Sequence, residues 1–83
     1  MDVRAVPSAG IVVFAGLTEM VAYGAEGLRW RTKRLSWDGL KIVRVTEHAI
    51  IGEYWDMRTG ATRTFEVDLA TGAQKGGVEE VRS

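Results

Sequence analysis

Two places in this chain read alike: Tyr23-Gly24-Ala25-Glu26-Gly27 and Asp68-Leu69-Ala70-Thr71-Gly72 each follow an alternating apolar run and end on glycine. Glycine takes a positive φ without a Cβ clash, so both segments are expected to be tips of β-hairpins. They make the chain all-β, with short connections.

With 83 residues the chain is long enough for one domain, spanning 1–83. Chains of this size bury roughly 60–65% of the surface their unfolded form exposes, so the core is thin. There is no cysteine, hence no disulfide and no thiolate metal site to reinforce it. An open sheet with exposed edges and no staple is expected to associate with copies of itself, as a homo-oligomer.

The formal net charge is zero but unevenly spread. Arg29, Arg31, Lys33, Arg34, Lys41 and Arg44 meet Asp38 alone in the middle of the chain, and the carboxylates collect after it. Opposite charges on adjacent strands neutralise each other, which is the expected arrangement; a basic face for an anionic ligand is the competing one. Balanced total charge gives little long-range attraction to a polyanion and argues against nucleic acid. The one continuous apolar stretch, residues 10–17, is far shorter than the roughly 20 residues of a membrane span, and Asp2 and Glu19 flank it. It is expected to be a strand buried on both faces or lying at a subunit contact, in a cytoplasmic protein with no membrane partner.

Alternation places strands at 11–15, 20–23, 28–35, 40–45, 49–56 and 62–69, preceded by an arm at 1–9 and followed by a short edge strand or frayed tail at 73–83. The expected fold is a single antiparallel meander of about six strands, a curved sheet or half-open barrel. In the third strand, parity sets Leu28, Trp30 and Thr32 against Arg29, Arg31 and Lys33. In the fourth, the apolar parity slips at Ile42-Val43, which predicts a β-bulge there. Gly52 is expected to admit an aromatic neighbour.

Val67-Asp68-Leu69-Ala70-Thr71-Gly72 resembles the hairpin of quinoprotein-type β-propeller repeats, in which an Asp-x-x-Thr-Gly step joins two strands of one blade. Tyr23-Gly24-Ala25-Glu26-Gly27-Leu28-Arg29-Trp30 is similar to the same hairpin, including a tryptophan shortly after the glycine. The resemblance implies blade-like local geometry without quinone chemistry, in a chain that has room for at most about one and a half four-stranded blades.

No catalytic constellation is present. His48 is the only histidine and follows Glu47, but nothing places a nucleophile or an oxyanion site beside it. Zinc needs three or four nitrogen or sulfur ligands, so neither a metal nor a cofactor is expected. Glu66 and Asp68 share a face by parity, and with an exposed tryptophan they define the alternative, a carbohydrate-binding or small hydrolytic domain. The favoured expectation is a non-catalytic binding or protein-interaction module. Its contact surface combines Arg29, Arg31 and Lys33 with the rings of Trp37, Tyr54 and Trp55, since adjacent Tyr54 and Trp55 must face opposite ways and one of them outward.

Overall fold

A computed structural model describes residues 2–37 and 39–77. Eight strands form two four-stranded antiparallel sheets: β1 (Asp2–Val6), β2 (Ile11–Ala15), β3 (Met20–Gly24) and β4 (Gly27–Arg31) in one, β5 (Leu40–Val45), β6 (Ala49–Asp56), β7 (Ala61–Asp68) and β8 (Gln74–Gly76) in the other. The all-β antiparallel expectation holds, but the single six-stranded meander is replaced by two open sheets of four. Two segments that lack an apolar period account for the difference. The expected arm pairs along its length with β2, from Asp2 opposite Ala15 to Val6 opposite Ile11. Gln74–Gly76 pairs with Phe65–Val67 of β7. Both are edge strands, whose positions are fixed by backbone hydrogen bonds more than by side-chain burial. The remainder of the expected tail, 78–83, lies outside the described residues.

The sheets stack in the same strand order. Asp2 and Arg4 of β1 share a cleft with Leu40, Lys41 and Ile42 of β5. At the other margin the Trp30 Nε1–H of β4 donates to the Leu69 carbonyl at 2.8 Å, and the Lys33 amide donates to Gln74 Oε1 of β8 at 2.9 Å. To place β5 beside β1, the chain must return from the far edge of its sheet. The described residues between β4 and β5, 32–37 and Gly39, belong to that return, and the segment is tied to the β2–β3 turn: the Leu35 and Ser36 amides both donate to the Thr18 carbonyl. Leu35 and Ser36 are wholly buried, although neither belongs to a strand. Here the expected third strand ends early, at Arg31.

The core lies between the sheets. Val13, Met20, Ala22 and Trp30 meet Ile50, Tyr54, Phe65 and Val67, with Leu35 and Leu69 closing the margin. The expected close approach at Gly52 is realised: a Cβ there would lie 2.2 Å from the Phe65 ring. The expected bulge is also present, as a register shift between Ile42 and Arg44. It turns Val43 outward, however, leaving it half exposed while Ile42 is buried. An unforeseen bulge lies between β3 and β4, where Trp30 opposes Ala22 but Leu28 opposes Tyr23. One inserted residue reverses side-chain parity. Leu28 is therefore exposed on the face opposite Trp30, a correction to the expected third strand.

Candidate functional site

The outer face of the first sheet is apolar. Register aligns Val3, Phe14, Val21 and Arg31 in one row across the four strands, and Ala5, Val12, Tyr23 and Leu28 in a second. Val3, Phe14, Tyr23 and Leu28 are exposed. Phe14 and Tyr23 stand edge to face, with ring centroids 5.7 Å apart at 84°. They wall a groove of about 720 Å³ whose floor and far side include Ala5, Pro7, Gly10 and Val12. The unbroken apolar run of β2 explains this face: Ile11, Val13 and Ala15 point into the core, so Val12 and Phe14 must point away from it. The expected burial of this strand on both faces is not observed: Ile11, Val13 and Ala15 are buried, whereas Phe14 on the other face is exposed.

The second sheet's outer face is polar. Lys41 opposes Glu53 and Glu66 opposes Lys75 across neighbouring strands. Trp55 stands on this face opposite Thr62, 53% exposed, while adjacent Tyr54 is buried against Phe65. The two rings thus diverge as their alternation requires, with Trp55 outward.

The residues expected to form one contact surface are dispersed. Arg31 lies at the margin of the first sheet's outer face, opposite Val21. Arg29 is the bulge residue, and its side chain lies across Gly24. Lys33 falls beyond β4 in the returning segment. Bulge and strand end together undo the expected row of Arg29, Arg31 and Lys33. Trp37 is exposed, with the Arg34 guanidinium 4.8 Å from its ring centroid, a cation–π contact. Tyr54 is interior and Trp55 sits on the far sheet, so these six residues do not make one patch.

Among the described residues the most buried carboxylate is Asp56, at 3% exposure. Its Oδ1 accepts the Arg58 amide at 2.9 Å, and the Arg58 and Arg63 guanidinium groups lie at 3.6 and 4.0 Å. Burial alone would raise its pKa, but the Arg58 amide and the two cations outweigh burial and hold it below 3.8. An aspartate kept ionised this firmly anchors the β6–β7 turn; it is a poor proton acceptor. The second carboxylate held low is Asp68, whose Oδ1 accepts the Ala70 and Thr71 amides at 2.8 and 3.0 Å within its own turn. Glu66, on the same outward side, opposes Lys75.

His48 is almost fully exposed, 4.0 Å from Glu47. Among the described residues no group of three histidine, cysteine, aspartate or glutamate side chains is placed to hold a metal, and no helix is long and apolar enough to cross a membrane. Comparison of the chain with protein-family models, curated proteins and solved structures returns no match.

Proposed function

We propose that this chain is a non-catalytic protein-interaction module that engages its partner through the outer face of the first sheet. The observation that carries the reading is the double row of apolar side chains, Val3-Phe14-Val21 and Ala5-Val12-Tyr23-Leu28, on a sheet face that no other described residue covers. Contiguous exposed apolar surface of this kind marks contact sites, whereas scattered apolar residues do not. The central Phe14–Tyr23 pair has the character of an anchor: large, rigid and carrying one hydroxyl. Blade-like packing of both sheets belongs to the same proposal. It is supported by the strand order and by the two matching turns, which join third to fourth strand in each sheet.

The test is binding of anilinonaphthalene sulfonate, a dye that brightens on apolar protein surface, at about 0.1 µM protein, where weak contacts between chains are dissociated. Enhanced fluorescence that is lost in Phe14→Lys and kept in Trp55→Lys is the expected result. Fluorescence that is absent, or indifferent to Phe14, would overturn the reading.

A second reading rests on Trp55, which borders a hollow of about 320 Å³ with Lys41, Glu53 and Thr62 and offers a ring on which a sugar can stack. Calorimetric titration with oligosaccharides that gives no heat, or heat unchanged by Trp55→Ala, rejects it. Hydrolysis by Glu66 and Asp68 gains no support, because the Asp68 carboxylate is committed to two turn amides.

A further inference from the structure

The partner's identity follows from comparing the molecule's two outer faces. We propose that the first sheet's outer face binds the same face of a second copy, forming a two-fold symmetric dimer; the inference rests on the contact-surface reading above.

Three observations lead there. First, the face offers both a projection and a hollow: the edge-to-face Phe14 and Tyr23 rings, and the groove they line together with Ala5, Gly10 and Val12. A two-fold axis sets the rings of each copy over the groove of the other, as an isologous contact requires. Second, the outward positions of β1 to β3 carry no charge, and Arg31 lies at the margin, where it can stay hydrated. A charged partner would lose hydration without gaining a counter-ion, whereas an identical face loses none. Third, the other copy-to-copy arrangement, head to tail, would press this face onto the second sheet and bury Lys41, Glu53, Glu66 and Lys75. That sheet is finished like the polar outer surface of a terminal repeat.

The size of the face sets the strength. Four strands spaced about 4.8 Å apart and five residues long give roughly 300 Å² of flat area per face, so a pair covers about 600 Å² before side-chain relief is added. This is below the standard size of stable interfaces, so a weak dimer that dissociates in the micromolar range or above is expected.

The experiment is sedimentation of the full chain from about 1 to about 200 µM, beside Phe14→Lys, Leu28→Lys and Trp55→Lys, with circular dichroism to establish that each variant folds. The expected mass rises with concentration from 9.1 kDa to twice that value and stops there. Phe14→Lys weakens the dimer at least about tenfold and Trp55→Lys leaves it unchanged. Leu28→Lys, on an exposed hairpin position, serves the same purpose if Phe14→Lys misfolds. A chain that stays at 9.1 kDa throughout overturns the dimer. If it still binds the dye, the contact-surface reading survives and the partner is another protein. Growth beyond the dimer, or equal weakening by Trp55→Lys, overturns the two-fold contact in favour of head-to-tail stacking.

Discussion

Trp30 joins the two sheets through one side chain. Its indole N–H meets the Leu69 carbonyl, and its ring lies so close to Gly72 that a Cβ there would come within 2.8 Å. Gly72 has a φ of 77°, so both the turn and the ring above it require glycine. Trp30→Ala removes core volume and orphans a buried carbonyl, and it should cost about 3–5 kcal/mol in urea unfolding. A loss below about 1 kcal/mol would mean that the ring does not hold the sheets together. Asp56 gives a pH signature. Its folded pKa lies below 3.8, so as pH falls through 3.8 towards that lower value the unfolded chain binds the extra proton first, and stability declines. Above 3.8 the contribution is fully present. Asp56→Asn should therefore lower stability at neutral pH and flatten the decline below 3.8; an acid limb as steep as that of the unaltered chain would assign the decline to other groups, Asp68 first.

At the level of elements, what could be read from the chain was whatever changes local chemistry. The slip of apolar parity at Ile42-Val43 announces its bulge, and Gly52 beside bulky strand neighbours announces its close approach to Phe65. The β3–β4 bulge leaves no such mark, because Leu28-Arg29-Trp30-Arg31 alternates perfectly and only pairing with Ala22 and Tyr23 reveals the shift. Its consequence was large, since it moved Leu28 onto the outer face of the first sheet and dispersed the basic row. The edge strand β1 was hidden for a related reason, since pairing and not pattern defines it, whereas the short edge strand expected as one of two readings of the tail is realised at Gln74–Gly76. The bulge in β5 predicts contrasting costs for neighbours, with Ile42→Ala losing about 2–5 kcal/mol and exposed Val43→Ala less than about 1. Similar losses in chemical denaturation would contradict the observed register. Leu35→Ala should also cost about 2–5 kcal/mol, although it lies in a connection, because that connection fills the end of the core. A cost below about 1 kcal/mol would mean that the return from β4 to β5 is not anchored there.

For the whole molecule, the repeated turn was the feature of the sequence that reached furthest. Asp68–Gly72 and Tyr23–Gly27 occupy the same place in their sheets, so the matched pair was an echo of two stacked units where a single meander was expected. Stacking gives each sheet one buried face and leaves two outer ones, and the chain finishes them differently: paired charges on the second sheet, apolar rows on the first. This asymmetry is the basis of the proposed function. It is tested most directly by hydroxyl-radical footprinting of the intact chain across a range of concentrations, read by mass spectrometry at Phe14, Tyr23 and Trp55. Modification of Phe14 and Tyr23 should fall as concentration rises through the micromolar range while that of Trp55 stays constant; constant modification at all three, or protection of Trp55 alone, would contradict a contact through the first sheet.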